Sequence, residues 1–150
     1  DRHQPLGGSV HILPIYQHHH RPFPYPERLI DSVLALQLPS GRWLNTDSIH
    51  MMGYLELDAL YALYYMRQLT PSYRAADIVN SVEKYAEAAA HYYKRHKDKL
   101  FSLHPHSVLA AAGTFGLLQK FLPERFPDDR NWSDIFSDRR LYQTKLVEVF

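Results

Sequence analysis

The chain has no cysteine. Disulfides and thiolate metal sites are therefore excluded, and the compartment stays open, because a thiol-free chain suits reducing and oxidising surroundings alike. No apolar run reaches the roughly 18 residues that a membrane-crossing helix needs, so no membrane partner is expected. No signal-peptide pattern stands at the front. Charge of one sign is not in excess: 17 Lys and Arg face 16 Asp and Glu, for a net +1. That removes the charge argument for a nucleic-acid or membrane-surface partner. A glycine-rich phosphate loop is also missing, since Gly7-Gly8 has none of its spacing. Ser133 and Ser137 lack the glycine-elbow context of a serine nucleophile.

What is present is ordinary in bulk. The 150 residues are 45% apolar and 22% charged, enough for one domain with a real core. The excesses are eleven Tyr and ten His. Both residue types suit sites that are half apolar and half polar, and both suit helix interfaces. The chain opens on Asp1 and closes on Phe150 inside the apolar pattern "KLVEVF". A processed chain, or a piece of something longer, is the expectation.

Residues 1–26 read as a Pro/His-rich loop or extended segment. They hold Pro5, Pro14, Pro22, Pro24 and Pro26, the pair Gly7-Gly8 and the run "HHH" at 18–20, and proline at this density opposes helix. Residues 27–150 read as a helical-hairpin domain. Leu29, Ile30, Val33, Leu34 and Leu36 recur at helical spacing from Glu27 on, and Pro39-Ser40-Gly41 ends the run. A second helix is expected from an N-cap at Asp47 or Ser48 to about Leu69. A third, over 73–97, is amphipathic: Ile78, Val82, Tyr85, Ala86, Ala89 and Tyr92 form its apolar face. A fourth starts at "HPHSVLAAAG" with Pro105 near its first position and runs to about Phe121. A last one is expected from Ser137 or Asp138. Helix, short turn and helix in alternation predict an all-α fold of antiparallel hairpins.

The second of these helices carries "GYLELDALYALYYM", residues 53–66. It is hydrophobic around most of its girth, which marks an interior helix. Yet it holds Glu56 and Asp58. At about 100° per residue the two point about 200° apart, so they cannot serve one site on this helix. Glu56 heads a face with Leu60, Leu63 and Arg67. Asp58 lies on a polar stripe with His50, Tyr54, Tyr61 and Tyr65. A buried carboxylate needs donors or takes up a proton. The stripe therefore reads in two ways: as structural bonding to neighbouring helices, or as a pocket in which Asp58 has a raised pKa suited to acid/base work.

The stretch "LALQLPSGRWLN", residues 34–45, has the form L-x-x-Q-x-P-x-G-x-W. Gln37 can bond frayed backbone at the helix end, Pro39 stops the helix, Gly41 permits a tight turn and Trp43 folds back over the end. This pattern resembles the helix-end signature of (α/α) toroid proteins, and residues 27–123 look like consecutive hairpins of a six-hairpin glycosidase-like barrel. That group includes unsaturated glucuronyl and rhamnogalacturonyl hydrolases. A similar turn occurs in terpenoid cyclases and protein prenyltransferases, although no acidic-rich cyclase motif is visible here. Six hairpins require twelve helices, over about 300 residues at ordinary lengths, so the resemblance implies a fragment of a larger toroid.

The resemblance implies a carbohydrate-active hydrolase acting on polysaccharide-derived oligosaccharides, with no cofactor and no metal. Asp58 is then the acid/base, and Trp43, His50, Tyr54, Tyr61, His104 and His106 shape the substrate pocket. Each has a plainer reading: Trp43 as a core cap, His104 and His106 of "HPH" as an N-cap and loop contact, "HHH" as solvated loop. Trp132, Asp134, Asp138, Arg139 and Arg140 read as a charged helix start, and "HYYKRHKDK" as a solvated helix end. The competing function is a non-catalytic helical scaffold or interaction domain whose aromatic stripe is packing. Incompletely covered helix faces would then favour self-association.

Overall fold

The computed structural model describes residues 4–44, 53–102 and 104–127, together with Trp132, Asp134 and Phe136. Among these residues the secondary structure is helical, with no strand. The helices are α1 (Gln4–Val10), α2 (Leu13–His18), α3 (Pro26–Leu36), α4 (Tyr54–Leu69), α5 (Ala75–His96) and α6 (Pro105–Phe121). A short 3-10 segment, Lys97–Ser102, joins the last two.

α4 is the centre. Leu57, Ala59, Leu60, Tyr61, Ala62, Leu63, Tyr65 and Met66 are all buried, and α1, α3, α5 and α6 pack around them. The near-continuous apolar girth seen in the sequence has this cause: nearly every face of the helix meets a neighbour. α5, by contrast, buries one stripe, Ile78, Ser81, Val82, Tyr85, Ala86, Ala89 and Tyr92, and leaves the rest to solvent.

Directions follow from the cross-links. Asp31 of α3 pairs with Arg74 at the head of α5, and Gln37 just past α3 bonds Ser81, so α3 and α5 run the same way. Tyr54 meets His106 and Tyr64 meets Phe121, so α4 and α6 run alike, and Arg42 just past α3 meets Glu56 at the start of α4, so the chain reverses between them. Neighbours in sequence therefore alternate, as antiparallel hairpins require.

The end of α3 behaves as its residues dictate. Gln37 Nε2 donates to the carbonyls of Gly41 and Ser81, both at 2.9 Å. Gly41 takes φ +85, and a Cβ there would stand 2.6 Å from the Lys84 carbonyl oxygen. Only glycine fits that turn and that approach. Trp43 folds back and donates from Nε1 to the Val33 carbonyl at 2.8 Å.

Two expectations are corrected. Residues 1–26 are not simply loop, because α1 and α2 form there. Pro14 falls in the first turn of α2, where the missing amide has no intrahelical partner to lose. Leu6, Val10 and Leu13 of these helices enter the core. The second correction is the start of α4. It begins at Tyr54, behind Gly53 in a left-handed conformation of φ +96. A Cβ on Gly53 would lie 3.1 Å from Ala110 Cβ, so α6 presses directly on this point. Asp47, Ser48, His50 and the helix expected from Ser137 or Asp138 lie outside the described residues.

Candidate functional site

The two acids of α4 separate as their spacing requires. Glu56 turns toward Arg42, in the segment after α3. Arg42 Nε lies 3.1 Å and Nη2 3.0 Å from the same oxygen, Oε1. The Arg42 guanidinium also sits over the Tyr92 ring, 4.6 Å from its centre. Glu56 is 1% exposed. Burial pushes its pKa up, and the Arg42 charge pulls part of the way back. Around this pair α5 contributes Tyr85 and Tyr93, and burial raises both phenols. Arg42, Glu56, Tyr85, Ala89 and Tyr93 line a small cleft, with room for about one water molecule.

Asp58 turns the other way, toward α1. A Cβ on Gly7 would lie 3.5 Å from Asp58 Oδ2, an ordinary contact distance, so the carboxyl lies against α1. The carboxyl pKa is pushed up to about 7, first by burial and then by the charge of Glu56. Further along the same stripe, the Tyr61 hydroxyl donates to Gln17 Oε1 at 2.7 Å. Tyr65 reaches the Arg21 carbonyl at 3.4 Å. Tyr61 is stacked between Tyr65 and Phe136, at 6.2 and 3.8 Å between ring centres. The polar stripe thus faces α1, α2 and the turn after them. The N-terminal segment that the sequence read as loop covers it.

The other candidates are scattered. Trp43 is fully buried, and its indole N–H is bonded to backbone. It offers no ring face to a ligand, so its assignment to a substrate pocket is corrected to a core cap. Tyr54 meets His106 edge-on at 4.1 Å, at the head of α6. His104 caps that helix, its Nδ1 accepting from the His106 amide at 3.2 Å. His104 and His106 are both exposed, at the head of α6, whereas Asp58 faces α1. His50 lies outside the described residues. Among the described residues no group of three or more His, Cys, Asp or Glu side chains is placed to hold a metal. None of the described helices is long and apolar enough to cross a membrane.

The partner that sequence reasoning missed is Arg42. A signal was present, since an acid on an interior helix needs a cation. Arg67, on the Glu56 face, was the nearer choice in sequence. It instead lies over the Phe121 and Tyr64 rings, at 4.4 and 5.4 Å. No protein-family model, curated protein or solved structure matches the chain.

Proposed function

We propose that this chain is a non-catalytic helical scaffold or interaction domain. The observation that carries the reading is where the polar groups of α4 are used. Glu56 is held by Arg42, Tyr61 by Gln17, and Tyr65 by the Arg21 carbonyl. Trp43 spends its only donor on Val33. Groups that converge on one another leave little to recognise a substrate, and ligand sites are typically clefts of about 300 Å³ or more with a few unspent polar groups. The cleft beside Glu56 is far below the size of a sugar ring.

A six-hairpin glycosidase-type hydrolase is the second reading. One feature favours it: burial and the Glu56 charge push the Asp58 carboxyl up to about 7, a range suited to giving up a proton near neutral pH.

One experiment separates the two. The purified chain and its Asp58→Asn variant are incubated with a panel of unsaturated and saturated acidic oligosaccharides, and reducing ends are counted. The scaffold reading expects turnover from neither protein. Turnover by the parent chain that disappears in a folded Asp58→Asn variant overturns it in favour of the hydrolase.

A further inference from the structure

We propose that the cleft between α4 and α5 is a binding site for a single ordered water, held by Glu56 Oε2 and the Tyr93 hydroxyl. Arg42 approaches Glu56 with two nitrogens, yet both fall on Oε1. A guanidinium fork more often spans both oxygens of a carboxylate. Here Oε2 is buried without a well-formed hydrogen bond, although the backbone amides of Glu56 and Leu44 act on the carboxyl and a carboxylate oxygen accepts up to two hydrogen bonds. The Tyr93 hydroxyl is also buried. It lies near that of Tyr85 but makes no well-formed hydrogen bond.

Both groups line the same cleft, which has room for about one water. A water there donates one hydrogen to Oε2 and accepts the Tyr93 hydroxyl proton. Its remaining hydrogen points toward the tyrosine-rich wall. Chemistry selects water over the alternatives. A cation would meet the Arg42 charge, an anion would meet Glu56, and anything larger than water exceeds the space. The site belongs to the packing of α4 on α5 and does not depend on whether the domain is catalytic. It links the two helices through a group that neither could bond directly.

The test is a high-resolution crystal structure of the full chain, with oxygen-17 relaxation dispersion of the solvent measured on the same protein. The expected result is an isolated peak within hydrogen-bond distance of Glu56 Oε2 and Tyr93 Oη, with one long-lived water assigned to it in solution. Ala89→Val extends a wall of the cleft into that space and should remove both signals. Should Ala89→Val fail to fold, Tyr93→Phe deletes one partner hydroxyl and should speed the exchange of this water. A cleft without a peak, with Arg42 re-seated across both carboxylate oxygens, overturns the proposal. A peak and dispersion unchanged in both variants overturns it as well.

Discussion

Gln37 and Ser81 bond each other twice. Gln37 Nε2 donates to the Ser81 carbonyl at 2.9 Å, and the Ser81 hydroxyl donates to Gln37 Oε1 at 2.9 Å. One amide therefore joins the end of α3 to the second turn of α5, while its nitrogen also holds the Gly41 carbonyl across the turn. Side chains separated by 44 positions fix the order of the outer layer.

Removing that amide has a predictable cost. Gln37→Ala loses three hydrogen bonds and leaves the Ser81 hydroxyl without this acceptor. At about 0.5–1.5 kcal/mol net per bond, the loss should be about 2 kcal/mol. Urea denaturation reads it as a lower midpoint with an unchanged slope. A shift below a few tenths of a kcal/mol would mean that the turn is held by other contacts.

Two glycines should respond in opposite directions. Gly41→Ala meets a left-handed φ of +85 and a carbonyl oxygen 2.6 Å from the new Cβ, so it should destabilise by more than about 1 kcal/mol. Gly8 lies within α1 and its Cβ would meet nothing within 4 Å. Gly8→Ala should therefore stabilise by about 0.5–1 kcal/mol through helix propensity. Thermal melts of both variants check the pair. Equal shifts of one sign would contradict the assigned backbone.

Asp58 gives the domain a pH dependence. Burial and the Glu56 charge push its carboxyl up to about 7 in the fold, against about 4 in an unfolded chain. The folded pKa is the higher, so the folded state binds more protons across this window. The stability it contributes is complete below about pH 4, falls as pH rises, and is lost above about 7. Glu56, also raised by burial, adds a slope of the same sign. Asp58→Asn should flatten the fall and melt higher than the parent at pH 8. An unchanged stability–pH curve in the variant would show that Asp58 is solvated in the fold.

The cover over the stripe hangs partly on one phenol. Tyr61→Phe removes the donor to Gln17 and keeps the ring stacked on Phe136 and Tyr65. It should cost about 1 kcal/mol, concentrated in faster amide exchange across α2. Exchange that rises uniformly over the chain would argue against a local role.

The sequence made the interior readable and the surface layer less so. α4 could be recognised as internal because its apolar residues occupy nearly every face, and the Gln37–Gly41–Trp43 turn because each residue has one physical use there. The separation of Glu56 from Asp58 followed from helical angle alone. The N-terminal helices are hidden in the sequence because proline's position matters more than its number: Pro14 lies in a first turn, where it is tolerated. Those helices are what covers Asp58. Arg42 was missed for a different reason. It sits outside any helix, so no periodicity links it to Glu56, and only the turn at Gly41 brings it there. Trp43 was ambiguous in sequence between cap and sugar platform, because burial is a property of the assembled helices.

Whether the acids of α4 serve the fold is tested most directly by a double-mutant cycle on Arg42 and Glu56, with each variant's stability measured by urea denaturation. Arg42→Met strands a buried carboxylate, and Glu56→Leu removes the carboxylate facing a guanidinium that is 11% exposed. Breaking such a pair from one side costs about 3 kcal/mol, whereas replacing both members with apolar groups costs far less. The predicted result is that the double variant is more stable than the Arg42→Met single, with a coupling of about 2 kcal/mol or more. Strictly additive losses would contradict the account, because Glu56 would then be held by something other than Arg42.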